Sequence, residues 1–284
     1  MSEQYFFERP TSRKEKNIKW KTRVEKKVFS GQSKYQKIEV FDTYEFGRML
    51  VLDGLIQLTK KDEPIYHEML VQPAMFYHPN PKRVLIVGGG DGGSLREVLK
   101  HKTVKEVILD DIDEKVIEVS KKYLPFVSKG AFNDKRTKIA IEDGLKYIKN
   151  FKNYFDVIIM DATDPRPRDI AIGLFQKPFL KDAYKAMAKD GIISIQSGWV
   201  IENFSKMTRK NIKAIFPHMK LHRAFVPCFP FEEHTFTSGS KKIDLNRVAY
   251  QKIKKRFKKR RIKTKYYTPE IHLASSVIPN TWKV

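Results

Sequence analysis

The chain predicts an α/β fold, a Rossmann-like parallel sheet preceded by a small antiparallel β domain. Three observations carry this. Val84-Leu85-Ile86-Val87 reads as a buried strand, runs into Gly88-Gly89-Gly90-Asp91-Gly92-Gly93, and is followed by a helical pattern from Ser94. From there through Gln196 apolar strands alternate with helical segments, the rhythm of βαβ units with a sheet covered on both faces. From Trp20 to Thr59 the pattern is mostly strand. The predicted division is a β-strand domain over residues 1–63 and a Rossmann-like domain over residues 64–284.

Taken in order, residues 1–19 are polar, contain Pro10, and predict an extended arm. Val24, Val28 and Phe29 predict a strand leading to a turn at Ser30-Gly31-Gln32-Ser33, with Tyr35, Ile38 and Val40 on the strand that follows. Phe46 to Leu52 is a further strand closed by Asp53-Gly54, and Leu55-Ile56-Gln57-Leu58 returns from that turn. Ile65 to Phe76 is helical, and Pro79-Asn80-Pro81 ends it. Strands are expected at Glu106–Asp111, Lys138–Ile141, Phe155–Asp161 and Gly191–Gln196. Helices are expected at Glu114–Tyr123, Gly144–Phe151 and Pro178–Lys189. Short β elements return near 223–240, and a late helix carries Tyr250, Ile253 and Phe257 at helical spacing.

The 284 residues suffice for one large or two modest domains with a proper core. No apolar run approaches a membrane span, and the N-terminus is charged and polar. A single cysteine, Cys228, cannot close an internal disulfide and fits a small packing residue in a reducing compartment. The expectation is a cytoplasmic protein without membrane association. Net charge is +23, from 56 basic against 33 acidic residues. Such an excess suits a polyanionic partner. Yet 41 of the 56 are lysines scattered along the chain, which a lysine-rich composition also explains. The dense cluster is Lys252–Lys265, where ten of fourteen positions are Lys or Arg. It reads as an amphipathic helix with a solvated basic face; nucleic-acid or membrane-surface docking is the less favoured reading.

Gly88, Gly90 and Gly93 satisfy G-x-G-x-x-G between a strand and a helix. Asp91 inside that loop is a poor neighbour for a pyrophosphate and a good one for a cation. This points away from NAD and towards an S-adenosyl compound carrying an amine, hence a sheet of the S-adenosylmethionine-dependent methyltransferase type. Ligands of open parallel sheets bind beyond the carboxyl ends of the strands. Asp91, Asp111, Asp143 and Asp161 stand at four successive such ends. Asp111, about twenty residues past the glycine loop, suits ribose hydroxyls. Asp143, before Gly144, suits an adenine amino group. Each of these carboxylates, taken singly, also fits a helix N-cap. Asp161-Ala162-Thr163-Asp164-Pro165 places two carboxylates in one loop, able to face a dication or to draw a proton from an amine. Tyr66 and His67 open the first predicted helix and point towards the glycine loop, although His67 also fits a satisfied core histidine.

Tyr66-His67-Glu68-Met69-Leu70, the Gly88–Gly93 run with Leu95-Arg96-Glu97, and Asp161-Ala162-Thr163-Asp164-Pro165 together resemble the spermidine synthases, the polyamine aminopropyltransferases. Ser33-Lys34-Tyr35-Gln36 and Leu52–Gln57 resemble the family's N-terminal β domain, and Tyr266–His272 resembles its C-terminal segment. The resemblance implies an enzyme moving the aminopropyl group of decarboxylated S-adenosylmethionine to putrescine, giving spermidine and methylthioadenosine. It implies no cofactor beyond that co-substrate and no metal, and a homodimer or homotetramer paired through the β domain. It assigns Asp161 and Tyr66 to catalysis. Gln36, Gln57, His67, Gly88, Gly90, Asp91, Asp111, Asp143 and Gly144 would hold the donor. Tyr66, Asp161, Asp164, Phe229 and Glu232 would hold the acceptor.

The chain departs from the family at Asp111, where Glu is usual, and at Arg166-Pro167-Arg168-Asp169, which replaces a Gly-Pro gate. Phe229 stands for a tyrosine, a lost hydroxyl that Glu232 and Glu233 could offset. The Tyr5-Phe6-Phe7 cluster is expected to stand for a family tryptophan. These changes surround the acceptor, so agmatine, cadaverine or a longer polyamine remain alternative acceptors, and a catalytically weak regulatory paralogue is a further one. A nucleic-acid methyltransferase would lack its Asn-Pro-Pro-aromatic signature here.

Overall fold

The computed structural model describes residues 4–8, 20–164, 170–200, 203–229 and 232–282. Strands β1 (Tyr5–Phe7), β2 (Lys21–Gln32), β3 (Lys37–Thr43), β4 (Gly47–Leu52) and β5 (Leu55–Thr59) form an antiparallel sheet in sequence order. The β4–β5 turn is Asp53-Gly54, both at positive φ (50° and 81°), the backbone that suits the twist of a two-residue hairpin. The Asp53 carboxylate accepts from the Lys37 N–H at 2.8 Å and locks the turn to β3. The expected turn at Ser30–Ser33 lies later. Ser30, Gly31 and Gln32 still pair with Glu39, Ile38 and Lys37. The reversal occurs where the Ser33 hydroxyl accepts from the N–H groups of Tyr35 and Gln36, both at 3.0 Å. Gly31 stays in the strand because the Phe29 ring covers it; a Cβ there would sit 2.7 Å from the ring.

Strands β6 (Arg83–Gly88), β7 (Glu106–Asp110), β8 (Thr137–Ala140), β9 (Phe155–Asp161), β10 (Met187–Trp199), β11 (His218–Ala224) and β12 (His234–Ser240) form the second sheet, ordered β11-β12-β10-β9-β6-β7-β8. The run from β8 to β10 is parallel, as expected. β12 runs antiparallel to both β10 and β11, because a short connection from β11 can only return antiparallel. Helices α1 (Glu63–Tyr77) and α2 (Gly93–Leu99) cover one face of this sheet. The other face is covered by α6 (Lys177–Ala186) and α7 (Asn203–Ile215). Helix α3 (Glu114–Tyr123) and the single turn α4 (Pro125–Ser128) lie against the N-terminal sheet.

Two helix ends differ from expectation, and one helix is additional. The helix foreseen to residue 189 stops at Ala186, because Met187 already pairs with Phe155 as the start of β10. The Gly144–Phe151 helix is one turn, α5 (Gly144–Tyr147), continued by a 3-10 turn at Ile148–Asn150. Helix α7 was not foreseen at all.

The two sheets are welded by apolar packing on both faces of the first. Ile38, Val40, Leu50 and Leu52 pack on Val116, Val119 and Leu124 of the α3–α4 region. Val24, Phe41, Met49 and Ile56 pack on Val226 and the buried Cys228. The basic segment forms helix α8 (Tyr250–Arg260), ended by Arg261 in the left-handed region at φ 51°. Its lysines 252, 254, 255, 258 and 259 are exposed, but two of its arginines are structural. Arg256 donates to the carbonyls of Phe76 and Tyr77 (2.6 and 2.7 Å). Arg260 donates to those of Met75 and His78 (2.6 and 2.8 Å). These are the orphan carbonyls and negative dipole end of α1. Helix α9 (Pro269–Ser275) follows. Just before it, Glu68 of α1 accepts from the N–H groups of Lys265, Tyr266 and Tyr267, each at 2.8 Å. Two motif segments far apart in sequence thus meet.

Candidate active site

The sheet changes direction of growth at β6, which has β7 on one side and β9 on the other. At that switch point the carboxyl ends of three strands open into a cavity of about 280 Å³. The N-terminal sheet supplies the opposite wall through Gln36, Leu50, Leu52 and Gln57.

The motif glycines give up their side-chain space to other site residues. A Cβ on Gly88 (φ 81°) would lie 2.4 Å from the Asp161 carbonyl oxygen, and one on Gly90 would lie 2.7 Å from Asp111 Oδ2. At Gly93 it would lie 2.3 Å from the His67 ring. The glycine run therefore lets strand β9, Asp111 and His67 close in around the loop.

Asp161 ends β9 beside Gly88. Its Oδ1 accepts from the Tyr66 hydroxyl at 2.9 Å and its Oδ2 from the Ser94 hydroxyl at 2.7 Å. Burial, and then the nearby Asp91 charge, raise its carboxyl above the usual range, although His67, Ser94 and Tyr66 oppose them. Burial beside Asp161 pushes the Tyr66 phenol well above its ordinary range, so the hydroxyl keeps its proton and donates. Ser94 was missed at the sequence level; its place on the first turn of α2 was the available signal.

Behind this pair runs a buried charge relay in the structural sense. Arg96 forks onto Glu63 at 3.0 and 2.9 Å, and Glu63 Oε2 meets His67 Nδ1 at 2.8 Å. His67 Nε2 lies 3.2 Å from Asp91 Oδ1. Burial would raise Glu63, but His67 and Arg96 outweigh it and hold the carboxyl at about 2. Burial would lower His67, yet Asp91 and Glu63 raise it well above its ordinary value, so the ring is an imidazolium. Burial would also raise Asp91, but His67 and the Gly93 N–H pull it down. Asp91 lines the cavity, whereas His67 does not and reaches it only through Asp91.

At one end of the cavity, around the ends of β6 and β7, stand Gln36, Asp111, Asp143 and Gly144, and Gln57 lines the cavity as well. Gln36 Nε2 donates to Asp113 Oδ2 at 3.0 Å, which leaves its amide oxygen for a ligand. Gln57 donates to the Leu55 carbonyl at 3.2 Å. Asp111 accepts from the Gly90 and Asp113 N–H groups, both at 2.9 Å, while burial lifts its carboxyl to about 6. Asp143 accepts from the Leu145 N–H at 3.0 Å, so it is both the cap of α5 and a cavity wall. Asp110 also lines this end and was missed, since its neighbour Asp111 carried the sequence signal.

At the other end Asp164 Oδ1 accepts from Gln196 Nε2 at 2.9 Å. The Gln196 carbonyl faces His234 Nε2 at 3.2 Å, which fixes the ring proton on that nitrogen. Phe229, Trp20 and Trp199 line the same end. Gln196, His234 and both tryptophans were not foreseen. Trp20 lines the cavity, while Tyr5-Phe6-Phe7 form β1, where Phe6 packs on Phe41 at 5.4 Å between ring centres. Glu232 does not line the cavity, and Glu233 is paired with Arg223. The Arg166–Asp169 segment lies outside the described residues.

Two families match the sequence, the spermine/spermidine synthase domain over residues 63–252 and the spermidine synthase tetramerisation domain over residues 4–60. The chain belongs to the spermine/spermidine synthase family. It is an enzyme, a transferase of the aminopropyltransferase type. A polyamine aminopropyltransferase of Thermoanaerobacter sp. (strain X514) is 46% identical over 275 residues, covering 95% of each chain. A crystal structure of spermidine synthase in complex with the transition state analogue AdoDATO superimposes with a TM-score of 0.91 at 38% identity, covering 98% of this chain and 93% of that one. Spermidine synthase from Thermotoga maritima gives 0.90 at 38% identity, covering 99% and 93%. The expected fold class is borne out by these likenesses. Among the described residues no helix is long and apolar enough to cross a membrane.

Proposed function

We propose that this member of the spermine/spermidine synthase family transfers the aminopropyl group of decarboxylated S-adenosylmethionine to putrescine, releasing methylthioadenosine and spermidine. The observation that carries the reading is the Tyr66–Asp161 pair standing between two carboxylate-lined ends of one cavity. The nucleoside lies at the Asp111–Asp143 end, with Gln36, Gln57, Gly88, Gly90 and Gly144 around it. The donor's own amine meets Asp91, kept anionic by His67 behind it. Asp164 holds the far ammonium of the acceptor, and Phe229 lies along its chain. Glu232, three residues past Phe229 and outside the cavity lining itself, stays in the acceptor set of this reading.

The attacking amine must be neutral, yet free alkylamines titrate near that of lysine, about 10. Asp161, with Tyr66 and Ser94 fixing its orientation, accepts the proton. The amine lone pair forms a bond to the propyl carbon next to sulfur. The carbon–sulfur bond breaks, and its electron pair turns the sulfonium into the neutral thioether of methylthioadenosine. A sulfonium is already an activated leaving group, so no metal is needed. The remaining barrier is lowered by alignment of two bound cations. The reading includes a β-strand domain at residues 1–63 that pairs subunits as a homodimer or homotetramer, a catalytic domain at 64–284, and a cytoplasmic location.

The test is an assay with decarboxylated S-adenosylmethionine and a panel of diamines and agmatine, with both products followed by mass. Spermidine from putrescine supports the reading. Product from another amine alone would transfer it to that acceptor, and no product with any amine would sink it.

A further inference from the structure

The Asp110 carboxyl is 1% exposed, lines the nucleoside end of the cavity, and has neither oxygen in a hydrogen bond. Buried polar groups without partners are rare, and one in the wall of a ligand cavity is a group whose partner arrives with the ligand. Among the described residues, the charges that act on it are acidic. Asp111 adjoins it on β7, Glu142 approaches from the loop after β8, and Asp143 and Tyr147 face it from α5. The Glu142 N–H points towards it without closing a hydrogen bond. Val87 of β6 and Leu174 of the 3-10 turn Ile170–Phe175 close around Gly144 beside Asp110 Oδ2.

We propose that Asp110 is a donor-binding residue whose carboxyl, as the neutral acid, hydrogen-bonds the purine of the nucleoside. This rests on the reading of the cavity as a nucleoside site. The three carboxylates close by, Asp111, Glu142 and Asp143, favour the protonated form. A carboxylic acid presents one O–H donor and one acceptor oxygen, whereas a carboxylate only accepts. Adenine offers the complementary pair, a ring nitrogen that accepts beside an amino group that donates. Burial, then the Asp111 and Glu142 charges, lift the carboxyl to about 8, so it is protonated at neutral pH.

The experiment is calorimetric titration of methylthioadenosine into the wild-type protein, Asp110→Asn and Asp110→Val, from pH about 7 to about 9.5. This ligand lacks the amine that meets Asp91, so the His67 relay is not read. Wild-type affinity should fall about tenfold as pH rises past about 8, the weight of one hydrogen bond. Asp110→Asn keeps a donor and an acceptor and should bind without that pH dependence. Asp110→Val should bind about tenfold more weakly at pH about 7. Wild-type affinity or better in Asp110→Val, or a wild-type pH profile in Asp110→Asn, overturns the proposal. Where Asp110→Val does not fold, the Asp110→Asn profile decides alone. A wild-type protein that does not bind methylthioadenosine overturns the nucleoside reading itself and this proposal with it, an outcome distinct from equal binding by the variants.

Discussion

The His67 ring occupies the space that a side chain at Gly93 would need, with its nearest atom 2.3 Å from the ideal Cβ position. The third glycine of the loop and the histidine of the first helix are thus one device. Gly93 makes room, His67 fills it, and the ring bridges Glu63 and Asp91. Gly93→Ala should force the ring out of that bridge, costing about 1–3 kcal/mol by overpacking and weakening donor binding more than methylthioadenosine binding. Denaturation midpoints and two ligand titrations would check this. Unchanged stability and binding would show that the ring moves freely.

Asp161→Asn removes the proton acceptor while keeping the contacts to Tyr66 and Ser94 within reach. Turnover should fall by about two or more orders of magnitude, and methylthioadenosine affinity should hold. Single-turnover rates and calorimetry separate the two. Turnover within threefold or so of wild type would remove Asp161 from proton transfer.

Asp110 also marks the stability curve. Its carboxyl has an ordinary value of 3.8 in the unfolded chain and about 8 in the fold. Between those values the unfolded chain has released the proton and the native protein has not. Stability contributed by this group is therefore full below about 4 and is lost as pH rises towards 8, with a slope of at most about 1.4 kcal/mol per pH unit. Chemical denaturation across that window should show a shallower fall in Asp110→Asn. Parallel curves for the two proteins would mean that Asp110 is ionised in the fold.

Arg260 seals the end of α1 by donating to carbonyls of Met75 and His78. Arg260→Ala should cost about 2 kcal/mol, the scale of charge-assisted hydrogen bonds lost from a half-buried position. Lys258→Ala, on the exposed face of the same helix, should change stability by less than about 0.5 kcal/mol. Thermal melts of both variants test the contrast. Equal losses would mean that the basic helix is held by its net charge and not by these two arginines.

Much of the site was legible because its signals are local. A buried strand, a glycine run and a helical pattern in sequence announce a ligand loop, and an acid at the end of each strand announces what that loop faces. Tyr66, Asp91, Asp111, Asp143, Asp161 and Asp164 were found this way, and all line the cavity. Ser94, Gln196, His234 and Asp110 were missed. Ser94 reaches Asp161 across 67 positions and Gln196 reaches Asp164 across 32, so nothing beside them in sequence marks them as partners. His67 was placed at the donor by the family resemblance. On a helix, neighbouring residues point about 100° apart, and that turn sends Tyr66 to the cavity and His67 behind Asp91.

The sequence by itself determined the order of the strands and of the helices other than α7, the glycine-permitted turn and the carboxylates at strand ends, since each follows from backbone periodicity or from the steric needs of a few adjacent residues. Only the tertiary structure decided that β6 lies between β7 and β9, that β12 runs against its neighbours, and that two basic residues of α8 belong to the end of α1. Strand order and charge pairing depend on contacts between residues far apart in the chain. Those contacts form only when the apolar faces of both sheets are buried together, and they set which acids share a cavity and which cation holds each one.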